Sequence, residues 1–247
     1  MFKFSQSSTK ALEDIDACPS KWNAMYVNKE WRRIPSLAML KGSYFEQLWL
    51  GSGATDEVVL DLPRKKNGEK TIDQVRIEEQ ARTATDLFTP SHPSFLGYTI
   101  HKTQIRFESE DKEGTADIWA TDRDGESWLI DCKLTEDLTS TWGDYAWGKN
   151  YDELDLIQLP HYQDLFYLKY GHRPRMALFI ADYSPKKRIE FNEIVVTDDR
   201  RKTKDFRFAE ARRIYNEYLA EGFPTVPTKK ECATCQLICK DRYEEPA

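Results

Sequence analysis

The stretch GTADIWATDRDGESWLIDCK, residues 114–133, decides the fold. Residues 114–120 and 127–134 read as two strands, and the Thr121-Asp122-Arg123-Asp124-Gly125 link between them is a hairpin turn signal. Side chains alternate along a strand, so Asp131 and Lys133 share one face while Ile130, Cys132 and Leu134 point the other way. The hairpin brings Asp117 beside Asp131. Two carboxylates held together repel each other, and a bound divalent cation relieves that repulsion. Oxygen ligands at this density suit Mg²⁺ or Mn²⁺ better than zinc. A lysine aimed at the same spot can orient a water or offset charge growing on a phosphoryl oxygen. D-x-K alone is a common triplet, for which a solvated strand face with a Lys–Asp pair is the plainer account.

Outward from this hairpin, Thr99–Glu108 alternates through Ile100, Thr103, Ile105 and Phe107, which completes a three-strand meander. Arg175–Tyr183 and Arg188–Val196 are two more strands, separated by Ser-Pro-Lys-Lys. Helices are expected over Ser36–Leu50, from Val75 to about Phe88, over Leu154–Leu168, and over Phe206–Glu221. Gly42 lies inside the first, tolerable where another backbone approaches closely. Pro160 lies inside the third, where it bends the helix or marks an early turn. Short helices broken near Cys18-Pro19 open the chain. Helices, strands, helix, strands, helix make a mixed α/β core.

The chain has 247 residues, with 36 Lys+Arg against 42 Asp+Glu for a net charge of −6. At 40% hydrophobic and 32% charged residues it reads as a folded protein and not a disordered one. It lacks the run of about eighteen apolar residues that spans a membrane. It also lacks a signal-peptide pattern. The expected setting is therefore the cytoplasm. Five cysteines, an odd number, argue against a disulfide scaffold. Cys132 belongs to the apolar strand face. The other four are Cys18 and the crowded Cys232-x-x-Cys235-x-x-x-Cys239, and four thiolates can bind either zinc or an iron–sulfur cluster.

Glu46 after Gly42, then Asp117, then Asp131-Cys132-Lys133, then Gln158-Leu159-Pro160-His161-Tyr162 resemble, in that order, the motifs of the PD-(D/E)XK nuclease superfamily. The resemblance is to its RecB-like branch, which includes helicase-associated nuclease domains, phage exonucleases and CRISPR adaptation nucleases. It spans Ser5 to Cys239. It implies a restriction-endonuclease-like mixed sheet flanked by helices, forming a single domain over residues 1–247. It implies Glu46, Asp117 and Asp131 as ligands of Mg²⁺ or Mn²⁺, with Lys133 beside them. Gln158 and Tyr162, four apart on one helix face, would support the site or touch DNA. Cys18, Cys232, Cys235 and Cys239 would form a 4Fe–4S staple, with structural zinc as the alternative, in a lobe of residues 1–35 and 223–247 that joins the termini. The sequence departs from the pattern in carrying Phe45-Glu46 where many relatives have histidine, and in the short gap before Cys239.

Lys186, Lys187 and Arg188 form one basic knot, and Arg200, Arg201, Lys202, Lys204 and Arg207 a second; both are candidates for phosphate contact. Trp142, Tyr145, Trp147 and Tyr151 could stack on unpaired bases, although aromatics so spaced often fill a core. The expected function is a Mg²⁺- or Mn²⁺-dependent DNA exonuclease acting at ends or on single strands. DNA repair, phage replication or recombination, and CRISPR adaptation are the expected settings, with proteins of those processes as partners. The alternatives are a structure-specific endonuclease and a catalytically idle, nuclease-like DNA-binding protein.

Overall fold

The structure, a computed structural model, describes residues 2–13, 18–30, 35–51, 62–141, 147–148, 150–151 and 154–224. The chain divides into two compact units, Met1–Ile34 with Lys202–Ala247, and Pro35–Arg201. The helical elements are α1 (Gln6–Glu13), α2 (Pro19–Trp22), a π-helical turn (Asn23–Val27), α3 (Leu37–Leu50), α4 (Ile72–Leu87), α5 (Gln158–Tyr170) and α6 (Asp198–Ala220). The strands are β1 (Thr99–Glu108), β2 (Glu113–Thr121), β3 (Ser127–Thr135), β4 (Arg175–Asp182) and β5 (Ile189–Glu193).

In the first unit, Phe4, Leu12, Trp22, Phe208 and Ala211 form the core, with Phe2, Tyr215 and Phe223 packed on it. Cys18 is the buried N-cap residue of α2, and Pro19 takes the first helical position, where a missing amide hydrogen costs nothing. Lys204 is buried and pairs with Asp205 at 2.8 Å, and Arg207 pairs with Glu13. The expected metal-cluster lobe joining the termini is not found among the described residues, where Cys18 is a buried apolar residue of this unit. Cys232, Cys235 and Cys239 lie outside the described residues.

In the second unit, the strands form one sheet in the order β1-β2-β3-β4-β5. The β1–β2, β2–β3 and β4–β5 pairs are antiparallel, and β3–β4 is parallel. A parallel pair needs a crossover, which α5 supplies. One face packs Ile118, Ala120, Ile130, Cys132, Ala177 and Phe179 against Phe45 of α3 and Ile77 and Ala81 of α4. The other packs Leu129, Met176, Leu178 and Ile180 against Leu159, Leu165 and Phe166 of α5.

Element boundaries moved where capping and proline chemistry decided them. α4 starts at Ile72 because Thr71 caps it, its hydroxyl accepting from the Gln74 amide at 3.2 Å. α5 starts at Gln158, not Leu154, which puts Pro160 in the first turn, where no intrahelical amide bond is lost. α6 starts at Asp198, not Phe206. Thr197 accepts from the Arg200 amide at 3.3 Å, and Asp198 and Asp199 place negative charge at the helix N-terminus. Among the described residues no backbone approaches Gly42, and a Cβ there would meet nothing within 4 Å.

One irregularity positions the site. On β2, Ala116 packs on the α5 face and Ile118 on the opposite face, although strict alternation would put both on one side. On β1, Ile105 packs on the α5 face, whereas the Thr103 hydroxyl reaches the Leu50 carbonyl of α3 at 3.5 Å. The ladder pairs Thr103 with Ile118 and Ile105 with Ala116, so both strands change face at the same rung, between Gln104 and Asp117. Gln104 is in the left-handed region, at φ 49°. This double kink adds no residue to either strand and re-aims side chains at that rung; the register shift of the β1–β2 ladder lies elsewhere, between Ile100 and Lys102.

Candidate active site

β3 carries Asp131 and Lys133 in phase with Leu129, toward α5. The Lys133 Nζ lies 2.6 Å from Asp131 Oδ2. The amide of Gln158, the first residue of α5, donates to the same oxygen at 2.8 Å. Among the described residues both donors lie on Oδ2, which leaves Oδ1 as the side of the carboxylate for water or substrate. The β2–β3 ladder ends at the Ile118–Ile130 pair. Past it, Asp117 Oδ2 accepts from the Cys132 amide at 2.7 Å, a carboxylate taking a strand N–H. Asp117 Oδ1 accepts a longer bond, 3.4 Å, from Gln104 Nε2.

The start of α5 is fixed on β2 by two contacts. His161, buried, donates from Nε2 to the Glu113 carbonyl at 2.8 Å. The Tyr162 ring lies so close over Gly114 that a Cβ there would come 2.9 Å from Cε1. Gly114 thus admits Tyr162 to the site, where its hydroxyl is pushed up by burial and by the charges of Asp131 and Asp117.

Burial, followed by the negative charges of Asp131 and Glu46, drives the Asp117 carboxyl well above the usual carboxylate range. Lys133 goes up too: burial opposes its charge, but Asp131 and Asp117 outweigh that. Cys132 sits in the core, its thiol pushed up chiefly by burial. The structure therefore brings Asp117, Asp131, Lys133, Gln158 and Tyr162 together, with Glu46 on α3 contributing through its field.

Two expectations about metals are overturned. Among the described residues, no group of three or more His, Cys, Asp or Glu side chains could hold a metal ion. For Mg²⁺ or Mn²⁺, Glu46 does not complete a triad with Asp117 and Asp131. The Asp117 carboxylate is spent on Cys132 and Gln104, and the Lys133 ammonium is already the cation on Asp131. For the 4Fe–4S or zinc staple, the described thiols are Cys18 and Cys132, each buried as a small apolar group. Neither metal group fits the side chains among the described residues.

Much of the expected DNA-binding charge is neutralised within the chain. Arg188 pairs with buried Asp182 at 2.8 Å and with Asp137 at 2.5 Å. Lys187 pairs with Glu79 at 2.8 Å, and Lys186 is exposed. Arg200 donates to the Tyr151 carbonyl at 2.9 Å, and Arg201 bonds Gln163 and Asp164. Lys202 belongs to the first unit, with Lys204 and Arg207. Trp147 is core, and the Tyr151 hydroxyl donates to Glu190 at 2.9 Å. Trp142 and Tyr145 lie outside the described residues. Sequence reasoning missed Gln104, Gly114 and His161. His161 lies inside the Gln158–Tyr162 signature, so a buried partner for it was discoverable there.

No family model matches the chain, and no curated protein matches it. Among solved structures the chain is similar to a protein of Eubacterium rectale provisionally named an exonuclease. Identity is 18% over 99% of this chain and 90% of that one, with a TM-score of 0.58. A likeness at this identity is one of fold: a mixed α/β sheet flanked by helices, of the restriction-endonuclease-like kind. A structure named SSO0001 aligns over 96% of this chain and 93% of that one, at 14% identity and a TM-score of 0.30, too low to carry an argument. No helix among the described residues is long and apolar enough to cross a membrane.

Proposed function

We propose that the chain hydrolyses phosphodiester bonds in DNA, acting as an exonuclease at ends or on single strands. The observation that carries this reading is the convergence of Lys133 and Gln158 on one oxygen of Asp131, beside a second buried carboxyl at Asp117. Lys133, held by Asp131, offsets the charge that gathers on the phosphoryl oxygens in the transition state. Asp131 Oδ1 orients the attacking water, and fixing that water near the phosphorus removes much of the entropic barrier. Asp117, pushed toward its neutral form by burial and by the charges of Asp131 and Glu46, is suited to exchange a proton with the reacting groups. The fold shared with the Eubacterium rectale protein supports the exonuclease reading.

A linear duplex and a covalently closed circle of the same sequence, each also offered as single strands, test it, with and without divalent salts. The expected result is nucleotide release from linear DNA with the circles intact. Nicked or linearised circles would replace this reading with that of an endonuclease.

A further inference from the structure

We infer that Gln104 is a positioning residue of the proposed site, holding the Asp117 carboxyl from the β1 side. The inference rests on the hydrolase reading and deepens it. Gln104 faces Asp117 across the rung where both strands change face. Its Nε2 reaches Asp117 Oδ1 at 3.4 Å, opposite the Cys132 amide on Oδ2, so the carboxyl is gripped from both neighbouring strands.

The kink itself does not call for glutamine. It needs a left-handed residue, which glycine supplies without strain, whereas a side chain with a Cβ is strained at φ 49°. Glutamine also leaves its Oε1 buried with no hydrogen-bond partner among the described residues, a second unfavourable feature that glycine would remove. Strain held at one residue, on a group bonded to a candidate catalytic carboxyl, is the pattern expected where function and not stability fixes the side chain. The unmet Oε1 further offers an acceptor beside Asp117 for a donor that the described residues do not supply, such as an ordered water.

Two variants separate positioning from folding. Gln104→Ala keeps the backbone strain and removes the amide; Gln104→Gly removes both. Steady-state hydrolysis of a DNA substrate that the wild type cuts should show kcat about tenfold lower in both, with KM within about twofold. Gln104→Gly should melt at or above the wild-type temperature. Wild-type kcat in Gln104→Gly would overturn the inference, as would a changed KM at unchanged kcat, or a Gln104→Gly chain that melts below wild type. A wild type that cuts no DNA would remove the hydrolase reading and this inference together; an active wild type with indifferent Gln104 variants would remove this inference alone.

Discussion

The Lys133 ammonium and Asp131 Oδ2 stand 2.6 Å apart on the same face of β3, with Gln158 donating to the same oxygen. The pair is mostly buried, so each charge depends on the other. Lys133→Ala leaves Asp131 enclosed without its cation. The variant should lose about 1–3 kcal/mol of stability, less than a fully enclosed pair because part of Lys133 meets solvent. Denaturant midpoints of wild type and variant at equal m-value check this, and an unchanged midpoint would count against it.

Asp117 predicts a pH signature. Its folded-state pKa is raised, so ionising it opposes folding. That opposition is absent below the unfolded carboxyl pKa of about 3.9 and grows as pH rises toward the folded value. Asp117→Asn should therefore be more stable than wild type at pH 8 and no more stable at pH 4, while losing activity. Melting curves at both pH values would read out the difference; an equal gain at both would assign it to something other than ionisation.

Gly114 on β2 and Gly42 inside α3 should respond oppositely to alanine. At Gly114 the new methyl collides with Tyr162 and His161, and the expected loss is about 1–3 kcal/mol, with activity falling as α5 shifts. At Gly42, inside α3 with open space around it, alanine should add about 0.5–1 kcal/mol and leave activity alone. Parallel thermal melts of the two variants decide the matter.

Arg188 should behave as a structural residue. Buried Asp182 accepts from the Arg188 backbone amide and side chain at 2.9 Å each, from Ser184 at 2.9 Å and from the Leu138 amide at 3.3 Å. Gln80 adds bonds to the Asp182 and Arg188 carbonyls. Arg188→Ala should lower stability, because it leaves buried Asp182 without its cation. The slope of log affinity for DNA against log salt should stay the same, because no phosphate contact is lost. Lys186→Ala should do the reverse, flattening the slope at unchanged stability.

The hairpin and the shared face of Asp131 and Lys133 were legible because strand alternation and turn chemistry are local properties of residues 114–133. Gln158 could be placed toward the site from its motif, although the start of α5 could not, since Pro160 is compatible with both a bend and a first turn. The face change at Gln104 was not legible. Its cause is a rung shared by two strands, and neither Gln104 nor Asp117 is a residue type that signals a change of face. Internal pairing of Arg188, Arg200 and Arg201 was equally hidden, because partners such as Asp137, the Tyr151 carbonyl and Asp164 come from segments distant in sequence. The expected metal ligands failed for a related reason: acidic residues in the right order do not reveal which internal donors already occupy their oxygens.

The most direct measurement is the release of nucleotides from end-labelled linear DNA by wild type, Asp131→Asn and Lys133→Ala, each first shown to be folded, with and without divalent salts. Wild type should degrade the substrate, and each variant should fall by about 10²–10³-fold, the usual loss of a charge-stabilising group. A wild type no more active than the two variants on every substrate would contradict the account and leave a nuclease-like fold with an idle pocket.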